Sequence, residues 1–270
     1  MLTAEWQKKD DLLYLNIPVW EEEGVCAAFS SRYGGQSTAP YYSLNLGLHV
    51  GDQAETVISN RQRFLHALQL DLDNVVCCQQ VHGNQVAVVD DRDRGLGAYT
   101  FSSALADYDA MITQSPGLVL MSFYADCIPM FFFDPRQRVI GLAHAGWKGT
   151  MSRIAAAMVL SLKSEFGTDP ADIQVFIGPG IDKCCFQIKE DLKAKVQREF
   201  TAVHDIIKKD ERGYFWDLKA TNRKILLDEG ILPRHISSSK LCTGCEARFF
   251  SYRREGGITG RMGAVLALRD

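Results

Sequence analysis

The segment Phe131-Phe-Phe-Asp-Pro-Arg-Gln-Arg-Val139 predicts two strands joined by a tight turn. Three consecutive phenylalanines precede the turn signal Asp-Pro, and an apolar run resumes after the turn. A hairpin centred on residues 134–137 would place Cys127 directly opposite His144. Opposed residues have Cβ atoms roughly 4.5–5.5 Å apart. The hairpin therefore predicts a close thiol–imidazole pair, provided that the ladder continues past Pro129, which a sheet tolerates at an edge or a bulge.

Three short segments place a metal-binding side chain where an apolar run ends. Two imidazoles and one thiolate suit Zn²⁺ or copper, and three protein ligands leave one coordination position for water or substrate. Taken singly, each residue is more often a turn histidine, a helix-capping histidine or a buried thiol, so the combination carries the prediction of a catalytic metal centre. The segments are Gln80-Val-His82-Gly83-Asn84, Ala125-Asp126-Cys127-Ile-Pro129 and His144-Ala-Gly146-Trp147-Lys148-Gly149.

The composition is that of an ordinary globular protein of 270 residues, with 46% hydrophobic and 23% charged residues. We expect one domain over residues 1–270, because no repeat, low-complexity tract or linker interrupts the chain. A net charge of −3 does not indicate a nucleic-acid partner. We expect no signal peptide, because residues 1–10 contain no continuous apolar run, and the longest apolar run, from Gly117 to Phe133, contains Asp126 and Pro129. We therefore expect no membrane partner and a cytoplasmic location.

Strand and helix patterns interleave without strict alternation, which favours an α/β fold of the α+β type, with mixed β-sheets flanked by helices. The helix patterns cover residues 150–166, ending at Gly167, residues 55–70, and a segment from the N-cap Asp217 to Gly230. The predicted strands are residues 25–31, 75–80, 86–89, 110–113, 119–124, 130–133, 139–143, 173–177 and 264–268.

The chain has eight cysteines, which we expect to be reduced, because a chain of this size without a secretion signal does not depend on disulfides. The vicinal pairs at 77–78 and 184–185 are awkward for bridges, since neighbouring side chains of a strand point to opposite faces. Cys242-Thr-Gly-Cys245 has the spacing of half a zinc knuckle but lacks a second CxxC or HxxxH motif. A turn with two small thiols is therefore favoured.

Collinear motifs along most of the chain resemble the bacterial laccase-domain family. This family is also called multicopper polyphenol oxidase-like or purine nucleoside phosphorylase, and it includes the human macrophage protein FAMIN. The matching segments are Ser31-Arg-Tyr-Gly-Gly-Gln-Ser37, Ser43-Leu-Asn-Leu-Gly47, Val50-Gly-Asp52, Asn60-Arg61, Gln80-Val-His-Gly83, Ala125-Asp-Cys-Ile-Pro129, His144-Ala-Gly-Trp-Lys-Gly149, Ile177-Gly-Pro179, Cys242-Thr243, Phe249-Phe-Ser-Tyr-Arg-Arg254 and Thr259-Gly-Arg-Met262.

The resemblance implies a zinc ion held by His82, Cys127 and His144, with copper as the alternative metal. It implies phosphorolysis of adenosine, inosine and methylthioadenosine and hydrolytic deamination of adenosine, so the expected partners are a purine nucleoside and phosphate. Laccase chemistry is disfavoured, because it requires a histidine-rich copper cluster beside a His₂Cys centre. Six histidines leave four for that cluster, and these four are scattered without ligand spacing.

The family is also linked, by analogy of fold, to bacterial toxin deamidases that use a Cys–His pair. That analogy supplies a rival mechanism, in which Cys127 is a metal-free nucleophile and His144 its base. Such an enzyme would hydrolyse an amide, for instance in editing a peptidoglycan precursor. A non-enzymatic zinc-binding scaffold is a further alternative, and a fourth protein ligand at the centre would favour it.

Asp126 is the carboxylate adjacent to the ligands. It could carry protons to a leaving group, or it could hydrogen-bond a ligand histidine, and the second role is favoured. The other histidines, at 49, 66, 204 and 235, are interpreted as structural or surface residues. The candidate anion binders are Arg32, Arg61, Lys148 and Arg261, and the candidate contacts to sugar or base are Asn45 and Gln80.

Overall fold

The predicted hairpin lies at the centre of a six-stranded sheet. The structure is a computed structural model that describes residues 2–201 and 205–269. His204, interpreted above as structural, lies outside the described residues. The strands are β1 Glu5–Lys9, β2 Leu12–Asn16, β3 Val25–Ser30, β4 Val75–Cys77, β5 Val86–Val88, β6 Ala110–Thr113, β7 Val119–Tyr124, β8 Ile128–Asp134, β9 Val139–Ala145, β10 Gln174–Ile177, β11 Gln187–Ile188, β12 Ile207–Asp210, β13 Gly213–Trp216, β14 Ile236–Ser238 and β15 Met262–Leu268. The α-helices are α1 Pro18–Glu22, α2 Ala54–Ala67, α3 Trp147–Met151, α4 Ile154–Phe166, α5 Glu190–Glu199 and α6 Leu218–Asp228.

Two six-stranded sheets form the body of the fold. The first has the strand order β14-β10-β8-β9-β6-β5, and the second has the order β1-β2-β3-β15-β7-β4. Most neighbours are antiparallel, but β10 and β14, β5 and β6, and β4 and β7 are parallel. The predicted mixed α/β fold is therefore confirmed. A small third sheet, β11-β13-β12, is not hydrogen-bonded to either, but its apolar side chains pack in the same core cluster as the first sheet.

The three phenylalanines of β8 show how the layers are built. Phe131 and Phe133 pack in a cluster shared with Phe29, Leu120 and other residues of the second sheet. Phe132, on the opposite face, packs in a cluster with residues of α4 and α6. Successive side chains of a strand point to opposite faces, so a run of apolar residues is buried when both faces are covered. The first sheet therefore lies between the second sheet and a layer of helices.

The register of the hairpin differs from the predicted one by two residues. Pro129, not Cys127, pairs with His144. The turn is longer than predicted because the Asp134 carboxylate accepts the N–H groups of Arg136 (2.8 Å) and Gln137 (3.2 Å), so that pairing resumes only after Arg138. A shift of two residues preserves the alternation of faces. Cys127 therefore lies diagonally beside His144 on the same face.

Pro129 is in an interior strand rather than at the predicted edge or bulge. It is the second residue of β8, and the ladder with β10 begins only at Met130. Its missing N–H therefore removes no hydrogen bond from that ladder.

The helix predicted at residues 150–166 is two helices. Arg153 has a left-handed backbone with a φ of 56°, which separates α3 from α4. Two predicted helix ends are confirmed, since Gly167 is the left-handed C-cap of α4 and the Asp217 side chain accepts the N–H of Ala220 at the start of α6. The helix predicted at residues 55–70 is α2 and ends three residues earlier, at Ala67. No helix among the described residues has the length and apolarity needed to cross a bilayer.

Candidate metal centre

The three predicted ligands meet at one end of the layer between the two large sheets. His82 lies in the loop after β4, Cys127 directly before β8, and His144 near the end of β9. Their ligand atoms all lie within 4.8 Å of one another. His144 is buried, Cys127 is partly exposed and His82 is exposed. The group is therefore accessible from solvent on the side of His82.

Two features of the backbone allow these side chains to approach each other. His82 and Asp126, which precedes Cys127, have φ angles of 64° and 89°, in the left-handed region that residues other than glycine rarely adopt. A Cβ atom on Gly146 would lie 2.9 Å from the Cys127 Sγ and 3.0 Å from the His82 Cδ2. Glycine at this position therefore leaves the space in which the three ligands meet.

Asp109 orients the group, and the sequence analysis did not identify it. Its Oδ1 lies 2.9 Å from the His144 Nδ1. The carboxylate also accepts the backbone N–H groups of His82 (2.9 Å) and Gly83 (2.6 Å). Because Nδ1 is engaged by Asp109, the Nε2 of His144 is the nitrogen left to bind a metal. The sequence does show that Asp109 is a carboxylate directly before a buried strand. Its contact with His144 could not be predicted from the sequence, because it depends on the pairing of β6 with β9.

Cys127 and His144 influence each other's ionisation. Burial opposes ionisation of the thiol, but the charge of His144 and hydrogen bonds from His144 and His82 lower the pKa of Cys127 to about 6. Burial also opposes protonation of the imidazole, but the charge of Cys127 and the hydrogen bond to Asp109 raise the pKa of His144 to about 9. Without a metal, the two groups therefore form a thiolate–imidazolium pair near neutral pH.

The donors fit a zinc ion. One thiolate and two imidazoles are ligands that zinc prefers, and Asp109 supplies the carboxylate–histidine hydrogen bond common at such sites. Within residues 2–201 and 205–269, no other His, Cys, Asp or Glu joins the group. One tetrahedral position is therefore free of protein, as in a catalytic rather than a structural site.

A cavity of about 540 Å³ opens directly onto the three ligands. This volume lies within the range of roughly 300–1,000 Å³ that is usual for small-molecule sites. Aromatic side chains and two arginines face it. The lining includes His49, Gln80, Phe123, Trp147, Phe186, Tyr252, Arg253 and Arg261.

Of the six residues predicted to bind substrate, Gln80 and Arg261 line the cavity. The Gln80 amide is also a structural bridge, since it donates to the Phe123 carbonyl (2.9 Å) and accepts the Phe123 N–H (2.8 Å). The Arg261 Nη1 donates to the carbonyls of Thr259 and Gly260. Burial lowers the pKa of Arg261 from its usual value, although Cys127 opposes this.

The other four predicted substrate contacts do not line the cavity. Arg32 forms an ion pair with Glu255 at 2.6 Å, and Lys148 is exposed on α3. Asn45 donates to Asp52 at 2.9 Å. These side chains lie outside the cavity because they bind partners in the surrounding loops or project into solvent.

Arg61 is the fourth of these residues, and it is almost completely buried. Its guanidinium donates to the carbonyls of Leu46, Gly97 and Ala98 at 2.7–2.8 Å. It also stacks 4.4 Å from the centre of the Phe123 ring, behind the cavity wall. Arg61 therefore supports the wall, and its Nε and Nη1 donors are taken up by backbone carbonyls.

Asp126 is next to Cys127 but does not hydrogen-bond a ligand histidine. Its Oδ1 accepts the Thr243 hydroxyl and its Oδ2 accepts the Arg253 N–H, each at 2.7 Å. These bonds tie the turn before β8 to the segment that precedes β15. The contact to histidine expected of Asp126 is made instead by Asp109.

His49 is a cavity residue that the sequence analysis assigned to a structural or surface role. Burial, together with the charges of Arg261 and Arg61, lowers the pKa of His49 to about 4. It is therefore a neutral imidazole at the cavity wall, able both to donate and to accept a hydrogen bond. Tyr252 and Arg253 also line the cavity, but nothing local in the sequence distinguishes them from ordinary loop residues.

A family model described as multi-copper polyphenol oxidoreductase laccase matches residues 26–269. The purine nucleoside phosphorylase YlmD of Geobacillus stearothermophilus is 39% identical over 250 residues, which cover 92% of this chain and 91% of that protein. The adenosine deaminase RL5, from an unknown prokaryotic organism, is 33% identical over 243 residues, which cover 88% of this chain and 92% of that protein. The crystal structure of YlmD from Geobacillus stearothermophilus superimposes with a TM-score of 0.93 over 99% of this chain and 100% of that chain, at 37% identity.

Proposed function

The chain belongs to the family described as multi-copper polyphenol oxidoreductase laccase, and we propose that it is a zinc-dependent enzyme of purine nucleosides. Its proposed reactions are phosphorolysis of adenosine, inosine and methylthioadenosine, and hydrolytic deamination of adenosine. The observation that carries this proposal is the three-ligand centre with one free position, open to an aromatic-lined cavity. The names of the relatives, purine nucleoside phosphorylase and adenosine deaminase, support it.

His82, Cys127 and His144 would hold the zinc ion. When bound, zinc supplies a Lewis acid at an open coordination position. Asp109 fixes the orientation of His144 by engaging its Nδ1, and it anchors the His82 loop through two backbone N–H groups. The chain's own contribution is therefore a set of ligands that hydrogen bonds orient before substrate enters.

The remaining cavity residues suit a nucleoside. Phe123 and Tyr252 offer ring faces for a purine. Gln80 is held in place by the backbone of Phe123, and neutral His49 adds a polar group at the same wall. Arg253 and Arg261 supply positive charge for phosphate. Aromatic, polar and cationic groups thus line one cavity beside the proposed metal.

Laccase chemistry is not supported by the available donors. It needs a second, histidine-rich copper cluster. Across the part of the chain that the structure describes, the other group of potential ligands consists of four cysteines and has no histidine. His49, His66 and His235 belong to neither group. The family description therefore does not define the reaction of this chain.

One observation favours a second candidate function, amide hydrolysis. Cys127, His144 and Asp109 are arranged as nucleophile, base and orienting carboxylate, and the pKa of the thiol is lowered to about 6. This arrangement is the one that a cysteine hydrolase needs. Such an enzyme would act without metal, for instance on a peptidoglycan precursor.

The proposed function is tested by incubating purified protein with adenosine, with and without phosphate, after removal of metal and reconstitution with zinc or copper. We expect adenine and ribose 1-phosphate only when phosphate is present, and inosine in both conditions, from the zinc form. Absence of both products from the zinc form would contradict the proposal. Amide hydrolysis by metal-free protein would establish the second candidate instead.

Arg261→Ala is expected to raise the KM for phosphate, by roughly 10–100-fold if one charge-assisted hydrogen bond worth 1.5–3 kcal/mol is lost. Deamination of adenosine uses no phosphate and should change much less in the same variant. The matched control is Arg32→Ala, because Arg32 belongs to the same group of predicted anion binders but lies outside the cavity. An unchanged phosphate KM in Arg261→Ala would remove Arg261 from this role.

A further inference from the structure

Four cysteines away from the proposed active site converge on one point. The thiols of Cys184, Cys185, Cys242 and Cys245 have sulfur atoms that all lie within 4.8 Å of one another. Cys245 is the central contact, with its Sγ 3.5 Å from the Cys184 Sγ and 3.4 Å from the Cys185 Sγ. Cys242 and Cys245 do lie in a turn, as the sequence predicts, but two further thiols lie beside them.

The sequence did not predict the contact of Cys184 and Cys185 with the Cys242–Cys245 motif, because neighbouring cysteines in a strand would point to opposite faces. Cys184 and Cys185 instead lie in a turn, where the N–H of Cys185 donates to the Asp182 carbonyl at 2.9 Å. In a turn, the side chains of adjacent residues need not point to opposite faces as they do in a strand. Both sulfur atoms can therefore face the same centre.

The second half of the cluster is a tight turn suited to metal binding. The N–H groups of Cys245 and Glu246 both donate to the Cys242 carbonyl, at 3.2 and 2.9 Å. The Cys242 Sγ in turn accepts the backbone N–H of Asp182 at 3.3 Å. A Cβ on Gly244 would lie 2.9 Å from the Cys185 Cβ and 3.0 Å from its Sγ. Glycine at position 244 thus permits the two turns to close on each other.

We propose that Cys184, Cys185, Cys242 and Cys245 bind a structural zinc ion. Zn–S bonds of about 2.3 Å in a tetrahedron place neighbouring sulfur atoms about 3.8 Å apart. The observed separations of 3.4–3.5 Å around Cys245 are close to that value. Four thiolates complete the coordination of zinc and leave no open position, so the site is structural rather than catalytic.

The cysteine site would stabilise one wall of the active-site cavity. Ile181 and Phe186, which flank the turn of Cys184 and Cys185 in the chain, line the cavity. The Thr243 hydroxyl, adjacent to Cys242, donates to Asp126 beside the ligand Cys127. Arg253, also in the cavity wall, donates through its Nη1 to the Cys185 carbonyl at 3.1 Å. A zinc ion joining the two turns therefore holds the backbone on which this wall depends.

The test is the metal content of purified variants reconstituted with Zn²⁺ under reducing conditions. We expect about two zinc ions per chain in the wild type, about one each in Cys245→Ser and Cys127→Ala, and none in the double variant, because each substitution removes one ligand of one site. The matched control, Cys26→Ala, removes a buried thiol that belongs to neither group and should retain both ions. Zinc content unchanged by Cys245→Ser would overturn the proposal.

A second measurement covers the case in which Cys245→Ser does not fold. Cys127→Ala loaded with Co²⁺ should show the intense sulfur-to-cobalt charge-transfer absorption of a four-thiolate tetrahedral site, and it should melt at a higher temperature than the same variant without metal. Absence of both signals would contradict the proposal. So would a mass decrease in unreduced protein that shows these cysteines joined in disulfides. Neither readout depends on catalysis, so this proposal and the proposed function can fail separately.

Discussion

Replacing Cys127 by alanine is expected to release the metal from the centre formed with His82 and His144. Turnover of adenosine should fall by on the order of 10³-fold, as large as the effect of deleting one stabilising group from an active site. Cys127 is the sole thiolate of that group. Two imidazoles alone hold zinc far less well than a set that includes a thiolate. Zinc content and the rate of inosine formation, measured on the same preparation, test this prediction.

The same variant separates the two candidate mechanisms. If zinc is retained at this centre while turnover is lost, Cys127 is a nucleophile and the amide hydrolase is favoured. If zinc and turnover are lost together, the metal mechanism is supported. The control is again Cys26→Ala, in which a core thiol on β3 is removed without touching the centre. A similar loss of activity in that variant would indicate general destabilisation.

Asp109→Asn is expected to lower zinc affinity by about 10–100-fold, the usual effect of removing a hydrogen bond to a metal-binding histidine. The amide keeps the size of the side chain but offers only one acceptor oxygen, whereas the carboxylate serves His144, His82 and Gly83. Competition with a chelator measures the affinity. The matched control is Asp134→Asn, because Asp134 is also a buried carboxylate that accepts backbone N–H groups, but in the hairpin turn.

Proton release distinguishes an electrostatic role of Asp109 from a merely structural one. In the wild type, binding of zinc at about pH 7.5 should release about one proton from the Cys127–His144 pair. Cys127, with a pKa of about 6, is then already ionised, whereas His144, with a pKa of about 9, must lose its proton. The release should fall above pH 9 and rise toward two protons below pH 6. Asp109→Asn removes the carboxylate that raises the pKa of His144, so fewer protons should be released at pH 7.5. Calorimetry in buffers of different ionisation enthalpy measures the number of protons released. Unchanged release would contradict the electrostatic role.

Local sequence patterns predicted most of the body of the fold. All nine predicted strands correspond to strands in the structure; the ends of β6 and β7 are as predicted, and those of the other seven are shifted. Two of the strands that were not predicted, β1 and β12, are polar. β1 is largely exposed or half-buried, and β12 carries Lys208 and Lys209 on an exposed surface. Neither strand shows the apolar run from which a strand is recognised. The prediction of one domain over the whole chain stays a prediction.

Sequence patterns predicted the three side chains that meet at the candidate metal centre, but not the surroundings of these side chains. His82, Cys127 and His144 could be found because ligand-type residues stand at the ends of apolar runs, next to turn signals. Arg32 and Arg61 were chosen for the same kind of local reason, but they support loops and the cavity wall. A guanidinium has the same appearance in sequence whether its partner is a backbone carbonyl or a phosphate. The assignment therefore depends on what lies opposite in space.

By itself, the sequence determined the mixed α/β class, the central hairpin and the three side chains that meet at the candidate metal centre, because these depend on the order of apolar and polar residues over short distances. Only the tertiary structure decided the hairpin register, the role of Asp109 and the meeting of Cys184 and Cys185 with Cys242 and Cys245. Those features arise from strand pairing and from turns brought together across more than fifty residues of chain. Such contacts are fixed by the packing of distant segments, which no local pattern encodes.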